Sequence, residues 1–124
     1  MILLDSSAWV ELFSASDKGK KVEEFMNSQK VLTSIIAIAE LADKFQRDGK
    51  ETSTAFMIIN NSATILPISP EIAIRAGKLK NQIRKTKPKF GLFDALRYAT
   101  AEQQNAIFVT ADHDFSGLKN VMIL

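Results

Sequence analysis

The sequence has no cysteine among its 124 residues, so neither a disulfide framework nor a zinc–thiolate cluster is open to it and stability has to come from packing. That absence fits an intracellular protein, and a cytoplasmic location is the expectation. Histidine occurs once, as His113. A histidine-rich metal site is thereby excluded, and His113 itself reads as an exposed turn residue before it reads as a ligand or proton shuttle. No run approaches the roughly eighteen apolar residues a membrane span needs; the longest candidate, Ile35 to Ala39, is far too short. Met1 passes directly into Ile2-Leu3-Leu4 with no basic leader. A soluble, non-exported protein with no membrane partner is expected. Internal repeats and low-complexity tracts are also missing.

One further absence is local. Between Glu71 and Asp94 there is no acidic residue, while Arg75, Lys78, Lys80, Arg84, Lys85, Lys87 and Lys89 all fall there. The segment carries +7 within a chain whose net charge is +2, so the remainder carries −5. A solvated helix face explains such a run, and so does a contact surface for an anionic polymer beside an acidic, cation-filled pocket.

What is present points to one layered domain. At 124 residues and 46% apolar content the chain can bury one core, and residues 1–124 are expected to form a single domain. Ile2-Leu3-Leu4 is a short apolar run suited to a strand buried on both faces. Ser6 to Phe13 shows helical spacing, with Asp5 or Ser6 as N-cap. A second helix is expected over Lys18 to Asn27, a strand over Lys30 to Thr33, and a mostly apolar helix over Ile35 to Gln46. Another helix is expected from about Glu51 to Asn60, then a strand over Ala63 to Ile68. Ser69-Pro70-Glu71 opens a basic helix reaching about Lys85, and Lys87-Pro88-Lys89-Phe90-Gly91 breaks it. A helix from Phe93 to about Gln104, a left-handed Asn105, a strand over Ala106 to Val109 and a last strand over Val121 to Leu124 complete the series. Strands alternating with helices predict a three-layer α/β/α sandwich around a mainly parallel, roughly five-stranded sheet.

In such sheets ligands bind beyond the carboxyl ends of the strands, where Asp5 and Asp112 are expected. Each has a plain explanation, a helix cap for Asp5 and a turn for Asp112. Asp94, after the flexible basic loop, also suits a cap. Glu40 fits least well, because Ile35, Ile36, Ala37, Ile38, Ala39, Leu41 and Ala42 leave it hardly any polar face. A helix-end salt bridge is one solution; buried, it needs a cation, a basic partner or a raised pKa. Four acids so placed repel one another unless neutralised, and a shared site for Mg²⁺ or Mn²⁺ answers that with hard oxygen ligands.

Four segments carry a resemblance: Leu3-Leu4-Asp5-Ser6-Ser7; Thr33-Ser34 with Glu40-Leu41 six residues after the serine; Leu92-Phe93-Asp94-Ala95-Leu96 with Ala99-Thr100-Ala101; and Val109-Thr110-Ala111-Asp112-His113-Asp114-Phe115. In order and spacing they resemble the four acidic motifs of PIN domains, particularly VapC-type toxins. The resemblance implies a PIN-like fold and a metal-dependent endoribonuclease acting as the toxin of a toxin–antitoxin pair. It implies Mg²⁺ or Mn²⁺ held by Asp5, Glu40, Asp94 and Asp112, with Asp5 and Asp94 the primary ligands and Asp114 at the edge. Ser6 and Thr110 would orient the carboxylates or a water. It also implies RNA as substrate, a homodimer, and a cognate antitoxin reaching into the acidic pocket. Lys85, Lys87 and Lys89 are the candidates for holding the RNA backbone. Arg97, Tyr98 and Asn105 depart from the family pattern; they are expected to touch none of the acids and to affect packing or substrate fit.

Three rivals frame this expectation. A phosphoacceptor receiver domain needs paired acids after the first strand and a lysine ending a late one, and Asp5-Ser6-Ser7 and Thr110-Ala111-Asp112 supply neither. A haloacid-dehalogenase-like phosphatase needs a second aspartate where Ser7 stands. A catalytically silent RNA-binding or toxin–antitoxin interaction module would keep the fold without the chemistry.

Overall fold

The apolar triplet Ile2–Leu4 forms β1 at the centre of a five-stranded sheet in the computed structural model, which describes residues 1–124. Beside it lie β2 (Val31–Ser34) and β4 (Ile107–Thr110), with β3 (Thr64–Leu66) and β5 (Val121–Ile123) at the edges. The order is β3-β2-β1-β4-β5, and every pairing is parallel. Helices α1 (Ser6–Phe13), α2 (Asp17–Ser28), α3 (Ile35–Arg47), α4 (Ser53–Ser62), α5 (Pro70–Ile83) and α6 (Leu92–Gln103) supply the crossovers. The sheet expected to be mainly parallel is wholly so.

The period-2 geometry of a strand divides the β1 side chains between two cores. Ile2 and Leu4 join Val31 and Val109 under Ala8 and Trp9 of α1, Val22 of α2, Leu41 of α3 and Ile59 of α4. Leu3 points the other way, with Leu32 and Phe108, onto Ile72, Ala76 and Leu79 of α5 and Ala95, Tyr98 and Ala99 of α6. Helices therefore cover both faces, giving the three layers. No helix is long and apolar enough to cross a membrane.

Most element boundaries lie one or two residues from expectation, and two of these shifts have a clear local reason. β3 stops at Leu66 instead of Ile68, because Pro67 has no N–H to give to the ladder. α5 ends at Ile83, and Arg84–Thr86 form a turn whose amides return to Lys80, Gln82 and Ile83. Asn105 adopts the expected left-handed conformation, with φ 52°.

Two contacts set the position of α1. The Trp9 indole N–H donates to the Thr33 hydroxyl at 3.1 Å, which donates to the Leu4 carbonyl at 2.8 Å, so the helix is pinned to β1 and β2 together. Its far end is fixed by close approach to α2, where a Cβ on Gly19 would lie 2.1 Å from the Glu11 carbonyl oxygen. That obstacle is backbone and cannot rotate away. Gly19→Ala is therefore expected to destabilise the fold by about 1–3 kcal/mol, the usual cost of overpacking, measurable as a lower urea midpoint with an unchanged slope.

Candidate active site

The backbone passes from strand to helix at Asp5, and its carboxylate serves both. Oδ1 accepts the Ser6 amide at 2.8 Å and so caps α1. Oδ2 accepts the Thr110 hydroxyl at 2.8 Å and, at 3.4 Å, the Ser7 hydroxyl. Thr110 ends β4, next to β1, so one hydroxyl ties the two central strand ends to the same acid. Asp5 is nevertheless only 1% exposed, a depth at which an ionised carboxylate needs a cation.

That cation is Arg97, itself 4% exposed. Its Nη1 lies 2.6 Å from Asp5 Oδ1, its Nη2 bonds Asp94 Oδ1, and its Nε lies 3.2 Å from Glu40 Oε1. The guanidinium carbon stands 5.4 Å from the centroid of the Phe115 ring, and Nε also donates to the Phe93 carbonyl at 3.3 Å. The expectation that Arg97 touches none of the acids is overturned: it touches three. Its spacing carries the reason, since residues three apart on a helix share a face and Arg97 follows Asp94 by three in α6.

Glu40 reaches this centre from α3. Ala37, Leu41 and Phe45 form the buried stripe of that helix, and Glu40, three residues after Ala37, sits on its border. Ser34 starts the helix by accepting the Ile36 amide at 3.1 Å, which fixes the register. Burial pushes the Glu40 carboxyl above its ordinary pKa; Arg97 opposes that rise, the charges of Asp5 and Asp94 add to it, and the Ser6 side chain opposes it. For Arg97, burial disfavours the charge, but the three carboxylates outweigh it and hold its pKa above the usual guanidinium value.

Asp94, expected as a cap, is not the N-cap residue of α6, which is Gly91. Asp94 lies instead in the first turn of α6, where Oδ2 reaches back to the Gly91 amide at 2.8 Å. Asp112 stands apart from the Arg97 cluster. Its Oδ1 accepts the Asp114 amide at 2.9 Å, starting a short 3₁₀ turn over His113–Phe115, and its own amide donates to Thr110 Oγ1 at 3.0 Å. Its link to Asp5 thus runs through the Thr110 hydroxyl. Asp114 and His113 are exposed.

Lys85 and Lys89 are exposed and Lys87 is half-buried, and none forms an ion pair. Arg75, in the same basic segment, is already engaged with Glu102 at 2.7 Å. The loop is anchored by Phe90, fully buried and edge-on to Phe115 at 5.6 Å. This brings Lys87 and Lys89 to one depression with His113 and Asp114. On the other side a cleft between α1 and α3, lined by Ser6, Ser7, Glu40 and Lys44, opens onto the acidic centre.

No three acidic side chains are grouped so as to enclose a cation by themselves, and a guanidinium lies among three of them. The donor set still suits a hard divalent ion. At full ionisation Asp5, Glu40 and Asp94 outnumber the one arginine by two charges, and buried Glu40 Oε1 has no hydrogen-bond donor. Sequence reasoning missed Arg97 and also Ser7, whose hydroxyl lies 3.0 Å from Thr110 Oγ1 and accepts the Ala111 amide at 2.9 Å. A serine two residues after a buried acid was the only signal for the latter.

Solved structures share this architecture. A toxin–antitoxin complex from Klebsiella pneumoniae contains a chain 25% identical, with a TM-score of 0.79 over 98% of this chain and 96% of that one. VapBC2 from Rickettsia felis, bound to a DNA fragment from its promoter, gives 21% identity and a TM-score of 0.79 over 100% and 98%. Mycobacterium tuberculosis VapC20, a toxin that cleaves the sarcin–ricin loop, gives 18% and 0.73 over 98% of each. No curated protein sequence matches the chain. The PIN domain family model matches residues 2–121, nearly the whole sheet and every acid described above: the chain belongs to the PIN-domain family, a family of nucleases.

Proposed function

We propose that residues 1–124 act as a single nuclease domain that hydrolyses RNA phosphodiester bonds with Mg²⁺ or Mn²⁺, as the toxin of a cytoplasmic toxin–antitoxin pair. The observation that carries this reading is the excess of acid over base: Asp5, Glu40 and Asp94 converge on one buried arginine at the carboxyl end of the central strand. A divalent cation held there would supply an activated water near neutral pH and offset charge building on the phosphate and the departing oxygen.

The chain's own residues supply the rest. Asp5 and Asp94 would be the primary ligands, Glu40 would add its undonated Oε1, and Asp112, linked to Asp5 through Thr110, and Asp114 would complete the set. Thr110 holds Asp5 Oδ2 in place, and the Ser6 amide holds Oδ1. Lys87 and Lys89, with Lys85 further out, contact the phosphate backbone without reading sequence. The cleavage of the sarcin–ricin loop by VapC20 supports RNA as the substrate class. The toxin–antitoxin complexes among the structural relatives support a cognate antitoxin as partner, and a homodimer completes the proposed assembly.

Arg97 favours a second reading, a catalytically silent RNA-binding or toxin–antitoxin interaction module, because it already fills the gap between three acids. Cleavage separates the two. The purified protein is expected to cut RNA with Mg²⁺ or Mn²⁺, and Asp94→Asn to lower the rate by about two orders of magnitude while keeping a wild-type circular dichroism spectrum. Asp5→Asn is expected to abolish cutting and also to lower the melting temperature, since it breaks a buried ion pair. Robust cutting in excess EDTA would overturn the metal-dependent reading, and none under any condition would favour the silent module. For the basic loop, replacing Lys85, Lys87 and Lys89 together by glutamine is expected to weaken RNA binding and reduce the slope of log K against log salt by about 2; identical salt series for the two proteins would remove these lysines from the interface.

A further inference from the structure

We propose that Arg97 is a built-in counterion of the acidic centre: its guanidinium competes with a divalent cation for the carboxylates of Asp5, Glu40 and Asp94 and so sets how much Mg²⁺ or Mn²⁺ the site requires. The inference rests on the metal-dependent reading above, and it follows from following each oxygen to its partner. Asp5 Oδ1 is taken by Nη1 and by the Ser6 amide, and Asp5 Oδ2 by Thr110. Asp94 Oδ1 is taken by Nη2 and Asp94 Oδ2 by the Gly91 amide. In both aspartates every oxygen already accepts a hydrogen bond. Glu40 Oε1 alone is buried without one, although Nε lies 3.2 Å away. A cation entering among these groups has to share or displace the oxygens that Arg97 holds.

The arginine is not free to yield them without cost. Its charge is permanent at any physiological pH, Phe115 lies against the guanidinium face, and Nε donates to the Phe93 carbonyl. Two cations in one partly desolvated pocket repel strongly. With Arg97 present the three acids leave a charge of −2, and without it they leave −3. Arg97 thus acts as a positioning residue in two ways. It keeps the carboxylates together when no metal is bound, and it weakens metal binding by occupying part of the same site.

The test is calorimetry of Mg²⁺ and Mn²⁺ binding to the wild type, Arg97→Met and Arg97→Lys, with melting temperatures in EDTA and in saturating metal. Arg97→Met is expected to bind about tenfold more tightly, to melt lower in EDTA and to recover most of that loss in metal. Arg97→Lys, which keeps the charge, is expected to stay within about threefold of the wild type. A merely structural arginine would lower both melting temperatures equally and leave the affinity alone, which would overturn the proposal, as would a lysine variant binding as tightly as the methionine one. Should Arg97→Met fold only with metal, the substitution of one cation for the other is shown directly. Should it not fold at all, the Arg97 Nε–H signal of ¹⁵N-labelled wild type is followed during Mg²⁺ addition. A signal that moves with the bound fraction supports competition, and one that stays fixed while calorimetry records binding refutes it. If neither the wild type nor a variant binds either metal, the metal-dependent reading fails and takes this inference with it; a wild type that binds, beside a methionine variant of equal affinity, removes this inference alone.

Discussion

A carboxylate as deeply enclosed as that of Asp5 cannot stay ionised unless a cation and hydrogen-bond donors accompany it. The protein meets that requirement with one guanidinium shared among three acids and with the amide and hydroxyl groups at the ends of β1 and β4. Removing one partner from such a cluster typically costs about 3–5 kcal/mol, because the survivor is left charged in a low-dielectric setting. The stability of the strand ends and the chemistry of the site therefore draw on the same few atoms.

The parallel sheet makes the arrangement attainable. With β1 flanked by β2 and β4, three strand ends open on one edge, and the helix starts that follow them place side chains around a common point. The aromatic packing extends the order outward. Phe115 contacts the Arg97 guanidinium, Phe90 and Phe108. The buried charge and the anchor of the basic loop thus meet in one aromatic cluster.

Most of the architecture was legible in the sequence because its signals are local. Helical spacing, Ser69-Pro70-Glu71, the apolar triplets and the left-handed Asn105 each follow from a few neighbouring residues. Of the boundaries that shifted, the one at Pro67 turned on a single missing donor and the one after Ile83 on a few turn hydrogen bonds. For the site, the conflict at Glu40 was visible as an acid on an apolar helix, and Asp5 and Asp112 could be assigned to strand ends. The role of Arg97 could not be read in the same way, since its distant partners are Asp5, between β1 and α1, and Glu40 in α3, and only the three-residue step from Asp94 is local. Ser7 was hidden for a similar reason: its contacts lie in β4 and beyond, over a hundred residues away.

Those separations also fix when the centre can come into being. Asp5 meets Arg97 across 92 residues and Thr110 across 105, and β1 has β4 as one of its two neighbours. A growing chain presents Asp5 and Glu40 long before the arginine that neutralises them has been synthesised, so any piece ending short of α6 holds uncompensated acids and half of a central strand pair. Contacts this distant close late and slowly. The centre is therefore complete only once the segment that carries α6 and β4 has joined the N-terminal strand.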